Sequence, residues 1–212
     1  DTTRKVEGSS VDIVNEIQSR IGHVNKINMS LWVDAYAIVQ YLPNSALFNT
    51  TRTPERENMF QWVGPISTSR SYFYTLASSG LTVQTMDQAK ALKSIATPVG
   101  WFTYDFMVKN GFQNIVATSR TSMDAFQQLI NGDVQALLMT DLDVKWLADL
   151  SKVPLSDLTQ QLQASDLKDY IAFSLNTPAT TVQQWQQHLD AMKTDKTFNT
   201  IWNKWFEGYT MP

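Results

Sequence analysis

The chain has 212 residues, 43% hydrophobic and 17% charged, with seven tryptophans; that composition supports a substantial core and excludes a disordered or fibrous protein. Seventeen Lys and Arg against twenty Asp and Glu leave a formal charge of −3 without a basic stripe, so nucleic acid is not an expected partner. Cysteine is absent, which removes disulfides, thiol nucleophiles and Cys-based zinc sites together, and no apolar run approaches the ~20 residues that span a bilayer.

Asp1 to Gly8 lack a charged-then-apolar signal pattern, so a secreted protein would be present here in processed form. Val11, Val14, Ile17, Gln18 and Ile21 fall at helical spacing, with Ser9 or Ser10 expected as N-cap and Gly22 as terminator. Ile27 and Met29 alternate like a short strand, a helix is expected over Val33 to Tyr41, and a buried strand over Ala46 to Asn49. Thr53-Pro54-Glu55 reads as an N-cap, a proline at the first helical position and an acid facing the positive helix end.

From Arg70 to Val83 the pattern is extended, with Tyr72, Tyr74 and Leu76 opposite Phe73 and Thr75. A strand at Ile95 follows, then a helix from Phe102 to Asn110 closed by Gly111, and a strand over Asn114 to Ala117. A helix from Ser122 to Ile130 closed by Asn131-Gly132 leads into a strand over Val134 to Met139. This alternation predicts largely parallel sheets flanked by helices. Helices are expected over most of the remainder, interrupted by an extended piece at Tyr170 to Ser174. Val182, Trp185, Leu189 and Met192 make one helical stripe; Phe198, Ile201, Trp202 and Trp205 make another. Gln160, Gln161, Gln163, Gln183, Gln184, Gln186 and Gln187 read as solvated helix faces.

No glycine-rich phosphate loop or nucleophile elbow occurs, and His23 and His188 read as surface residues without metal-ligand companions. Asp141-Leu142-Asp143 either chelates a divalent cation or marks a strand end and helix N-cap. Glu55 and Glu57 are explained by a helix's first turn without acid–base catalysis. Arg52 and Arg56, four apart, are either surface cations or a pair of forks suited to a carboxylate. Trp32, Tyr36 and Trp101 are either core residues or flat walls for a ligand.

Ala46-Leu47-Phe48-Asn49-Thr50-Thr51-Arg52-Thr53-Pro54-Glu55-Arg56-Glu57, continuing through Phe60, Trp62, Val63, Gly64 and Pro65, resembles the ligand-binding segment of the family 3 extracellular solute-binding proteins. That family includes periplasmic receptors for polar amino acids in ABC transport. Gly8-Ser9-Ser10-Val11-Asp12-Ile13-Val14 resembles its first helix entry, and Leu31-Trp32 with Ala35-Tyr36 a proline–tryptophan element of one branch. Leu129 through Gly132 to Asp141 resembles a second-lobe strand, so the resemblance covers nearly the whole chain.

The resemblance implies an α/β, two-lobed periplasmic-binding-protein-like (type II) fold. Residues 1–70 plus 174–212 would form the first lobe and 71–173 the second, with hinge crossings near Ser67 to Tyr72 and Tyr170 to Ser174. It implies that Arg56 grips a ligand carboxylate, with Asn49 and Thr51 as neighbouring contacts. In the second lobe, Val99-Gly100-Trp101-Phe102-Thr103 matches the strand–turn–helix whose amides and hydroxyl meet the same carboxylate, through Gly100, Trp101 and Thr103. The acid that would hold an α-ammonium aligns with Thr140, and Asp141 stands one residue later. Gln135 replaces the usual strand aspartate, and the family's first strand, expected before Gly8, is not seen in this sequence, which predicts a gap or exposed edge in the first lobe's sheet and a chain that is either destabilised or a strand-exchanged dimer. The implied function is periplasmic capture of an amino-acid-like solute for an ABC permease, with no catalysis, cofactor or metal. A ligand-sensing domain is the alternative, and a dehydratase-like enzyme on the same fold is a third reading.

Overall fold

A computed structural model describes residues 6–212 and resolves the alternating patterns into two units, one built from the chain up to Thr68 plus Leu167–Pro212, the other from Ser69–Asp166. The expected lack of a first strand concerns the segment before Gly8, of which residues 1–5 lie outside the described residues. The fold is mixed α/β, as the resemblance implies.

In the first unit, α1 (Ser9–Ile21) buries Ser10, Ile13, Val14, Ile17 and Gln18. These positions complete an i, i+3, i+4, i+7, i+8 stripe, so Ile13 rather than the expected Val11 faces the core. Neither serine caps this helix. Gly8 holds the cap position, because both serines are already helical and buried, and the Ser10 hydroxyl instead donates to Asn49 Oδ1 at 2.5 Å. Gly22 terminates the helix at φ 78°, a left-handed conformation that costs glycine nothing. The strand expected at Ile27 and Met29 does not form; Met29 is 77% exposed, so alternation without a burying face produced no ladder. α2 (Trp32–Tyr41) follows as expected.

β1 (Ala46–Thr51) pairs antiparallel with the end of β6 (Leu158–Phe173), from Ala46 opposite Phe173 to Thr51 opposite Asp169. Among the described residues it is an edge strand, buried only at Thr50 and Thr51, not throughout as expected. Thr53-Pro54-Glu55 opens no α-helix: Arg56 N–H donates to Thr53 O and Met59 N–H to Arg56 O, both at 3.0 Å. These bonds make a turn and a single 3₁₀ turn at Glu57–Met59 before the chain extends at Phe60. α7 (Ala179–Thr194) and α8 (Thr197–Phe206) pack on each other and on α1. There Leu189, Met192, Phe198 and Trp202 are buried, as two of the predicted stripes required.

β2 (Gln61–Leu76) contributes residues to both units. In the second unit its alternation sorts as expected: Tyr74 lies in a cluster with Phe126, Leu129 and Leu137, and Phe73 in one with Val83, Ile95 and Met107. β2 runs antiparallel to β5 (Ala136–Thr140), with Ser71 opposite Thr140. β3 (Ile95–Ala96) is parallel to β5 and to β4 (Ile115–Val116). α4 (Phe102–Lys109) and α5 (Ser122–Ile130) supply the crossovers that parallel pairing of these three needs. α3 (Met86–Ala91) and α6 (Asp141–Ser151) complete the unit's helices.

The glutamines at 160, 161 and 163 belong to β6, a correction to the helical reading. Gln161 donates to Thr75 Oγ1 and Leu81 O and accepts from Val83 N–H, so its amide is satisfied by tertiary partners that no local pattern announces.

Candidate ligand-binding site

In the first unit, Trp32 and Tyr36 stand four apart on α2 and so share a face, with ring centroids 5.4 Å apart. The turn after β1 brings the Arg56 guanidinium 5.5 Å from the Trp32 ring and 5.2 Å from the Tyr36 ring. Arg56 is only 5% exposed, and its Nη1 lies 3.4 Å from Thr51 O. A buried guanidinium against aromatic faces gains cation–π stabilisation and sits where charge-assisted bonds are weakly opposed by water.

Arg52 occupies a parallel arrangement, 5.5 Å from the Trp62 ring and 5.1 Å from the Tyr170 ring. The ring row Trp32, Tyr36, Phe60, Trp62, Tyr170 is continuous, with successive centroids 5.4 to 5.9 Å apart. Tyr170 lies so close to Gly64 that a Cβ there would clash with Tyr170 Cδ1, so only glycine admits this ring. Arg52 is ion-paired with Glu57, its Nε donating to Glu57 Oε2 at 2.7 Å, and that bond holds the Glu57 carboxyl below its ordinary value.

Thr51 is buried and donates to Asp169 Oδ1 at 2.7 Å. Asn49 is exposed, and its side chain accepts from Ser10 of α1. Thus Arg56, Trp32, Tyr36 and Thr51 come together, while the Asn49 side chain is held by Ser10 of α1.

In the second unit, β3 and β5 are parallel, so their carboxyl ends point the same way and α4 and α6 begin there. Gly100, at φ 77°, makes the turn into α4, and Trp101 holds the cap position without a side-chain cap bond. The other helices of this unit are capped by Thr85, Thr121 and Thr140. α4 therefore presents the positive end of its first-turn amides unaided by its own side chain. Thr103 is buried with its hydroxyl 2.6 Å from that of Thr97.

Thr140 caps α6, accepting from Asp143 N–H and donating to Asp143 Oδ2 at 2.6 Å. The Asp141-Leu142-Asp143 run is thus a strand end and helix start. Burial pushes the Asp143 carboxyl up, with the Thr140 hydroxyl opposing. Burial also pushes Asp141 up, against the attraction of Arg70, whose Nη2 lies 3.2 Å from Asp141 Oδ2.

Sequence reasoning missed Asp169, the Phe60–Trp62–Tyr170 part of the ring row, and Arg70. Asp169 meets Thr51 across 118 positions, beyond any local pattern. The aromatic spacing of Phe60 and Trp62 on an extended segment was a usable signal.

The family described as bacterial extracellular solute-binding proteins, family 3, matches residues 1–208. No curated protein sequence matches the chain. Among solved structures the chain is similar to a histidine kinase sensor domain with similarity to periplasmic binding proteins, at TM-score 0.89 and 13% identity, covering 100% of this chain and 91% of that one. It is also similar to a putative L-cystine ABC transporter protein from Listeria monocytogenes, at TM-score 0.84 and 17% identity, covering 100% and 91%. A third is AbpA, an amino acid ABC transporter substrate-binding protein from Streptococcus pneumoniae bound to L-arginine, at TM-score 0.82 and 17% identity, covering 98% and 86%. At these identities the likeness carries the fold alone.

Proposed function

The chain belongs to the bacterial extracellular solute-binding proteins, family 3, and from that premise we propose that it captures a small polar solute through the solute's carboxylate, outside the cytoplasm, and hands it unchanged to an ABC permease. The observation that carries this reading is Arg56, 5% exposed and set against the Trp32 and Tyr36 rings. A guanidinium offers a planar fork of N–H donors that matches a carboxylate, and low local dielectric strengthens the bond. Gly100, Trp101 and Thr103 at the start of α4 are proposed, within the second unit, as ligand contacts, since helix amides favour an anion. Among the described residues no helix is long and apolar enough to cross a membrane.

A second reading, a ligand-sensing domain, is favoured by the similarity to the histidine kinase sensor domain at TM-score 0.89. It uses the same carboxylate contact. Uptake of a radiolabelled solute lost on deletion of the gene supports delivery, whereas loss of a transcriptional response with unchanged uptake supports sensing.

Calorimetric titration with a panel of amino acids and simple carboxylates tests the site. Arg56→Ala is expected to weaken binding by about 30-fold to several thousand-fold, equivalent to ~2–5 kcal/mol. Arg56→Lys is expected to bind poorly as well, because a point-like ammonium lacks the fork. Arg52→Ala, whose cation already serves Glu57, is expected to change affinity by less than about fivefold. Near-parental affinity in a folded Arg56→Ala variant would overturn the assignment.

A further inference from the structure

We propose that the outward face of α2 is a homodimer interface, on which a second copy of this chain docks its own α2 antiparallel. The proposal is independent of the ligand reading. Of the ten residues in α2, only Asp34 and Gln40 are neither aliphatic nor aromatic. A helix that is apolar on all sides belongs where all sides are covered.

α2 carries two stripes of the same i, i+3, i+4, i+7 spacing on opposite sides. Trp32, Ala35, Tyr36 and Val39 face inward; Val39 is buried in a cluster with Phe60 and Ala172, and Tyr36 packs against that cluster. Asp34, Ala37, Ile38 and Tyr41 face outward and are all exposed, Tyr41 at 81%. Leu31, Val33 and Leu42 flank them and are exposed as well. The outward apolar area is on the order of 500 Å², within the ~300–600 Å² of the largest patch on a typical monomer, which is often functional.

The stripe itself selects the occupant. Its spacing reads the same in both directions, so a two-fold axis between Ala37 and Ile38 sets Asp34 against Tyr41 of the second copy and Ala37 against Ile38 of the second copy, each contact occurring twice. Both contacts are complementary: the phenol donates to the carboxylate, and the small alanine receives the larger isoleucine, which lets the helix axes approach. The alternatives fit less well. Asp34 is the only charged residue between Lys26 and Arg52, whereas a helix lying on lipid carries Lys or Arg beside its apolar face. A basic protein partner would find a single acid to answer. The area falls short of the ~800 Å² per partner of a standard interface, so the dimer is reversible, with a Kd between about 1 µM and about 1 mM.

Sedimentation equilibrium of the purified chain across about 1 µM to about 1 mM tests this. The average mass is expected to rise with concentration from that of one chain toward that of two. Ala37→Glu and Ala37→Lys each place like charges beside the two-fold axis, at an exposed position outside the core. Each variant alone, shown to be folded by circular dichroism, is expected to stay monomeric, and an equimolar mixture of the two is expected to associate at least about tenfold more tightly than either alone. A parent chain that stays monomeric overturns the proposal, and its co-flotation with phosphatidylcholine vesicles would then assign the face to a lipid surface. A dimer that both variants leave intact uses another surface and overturns the proposal too. Monomeric variants whose mixture does not associate would overturn the antiparallel pairing of α2 with itself.

Discussion

The two units hold their key arginines in opposite ways. Arg56 of the first unit is buried against aromatic faces on an irregular turn, whereas Arg70 of the second lies on a regular strand and is answered by Asp141 at the start of a helix. The second unit's strands and helices follow from hydrophobic periodicity, and its candidate contact residues fall where parallel strands end. In the first unit the candidate residues depend on an aromatic row and on a hydroxyl–carboxylate bond spanning 118 positions. A regular framework places groups by geometry. An irregular one must hold them by specific partners, so its variants should fail differently.

The largest expected effect tests the regular side. Phe126 is fully buried among Leu129, Leu137, Met139 and Leu147, and Phe126→Ala removes a ring from a close-packed cluster. The expected loss is about 3–5 kcal/mol of unfolding free energy, from lost transfer and an incompletely collapsed cavity. Urea unfolding measures it. A loss below about 1 kcal/mol would mean that the cluster repacks freely and that the unit's order does not rest on its core.

The contrast also explains what is legible in the sequence. Helices α1, α4 and α5 lie within a few residues of where the patterns place them, because an apolar stripe and a glycine or asparagine stop coincide in sequence, and α2, whose C-cap Leu42 precedes Pro43, and strands β3 to β5 lie close to their expected places too. Gln160, Gln161 and Gln163 mislead, since helix-favouring glutamines without alternating apolar partners conceal a strand satisfied by Thr75, Leu81 and Val83. Thr53-Pro54-Glu55 carries a helix-start pattern that tertiary pull on Phe60 and Trp62 converts into a 3₁₀ turn. At the candidate site, residue type and resemblance single out Arg56 and the Trp32–Tyr36 pair, and the structure sets them in contact. Asp169 and Arg70 are not legible, because their partners Thr51 and Asp141 are distant in sequence.

An intermediate effect sharpens the irregular side. Thr51→Val keeps the shape of a buried residue while deleting its bond to Asp169 Oδ1, and Asp169 is itself only 7% exposed. Weakening the solvation of a buried carboxylate is expected to cost about 1–3 kcal/mol of stability. Thr51→Ser, which retains the hydroxyl, should recover most of it. A larger loss in Thr51→Ser than in Thr51→Val would show that the methyl packing, not the hydrogen bond, fixes the turn that carries Arg56.

The smallest effect asks whether the first unit's polar contacts matter when they are exposed. Arg20 of α1 donates to Asp195 at 2.7 Å and to Thr197 at 2.9 Å, tying α1 to the start of α8. The Arg20 bond, followed by those from Thr197, lowers the Asp195 carboxyl to about 2, well below the ordinary 3.8. A carboxyl depressed on folding contributes stability that is fully present above its unfolded value and is lost as pH falls toward its folded one. The stability gap between the parent and Asp195→Asn should therefore be level at mildly acidic pH and close between about pH 4 and about pH 2. The amide introduced by this substitution carries no charge to answer Arg20, yet its oxygen can still accept Thr197 N–H, so the variant isolates the ionic part. Solvent screening keeps the gap small, and raised salt should shrink it further. Scanning calorimetry across the acid range measures the gap. A gap that stays constant as Asp195 is protonated would show that the Arg20 contact is geometric only, leaving buried partners such as Thr51 and Asp169 to hold the irregular unit together.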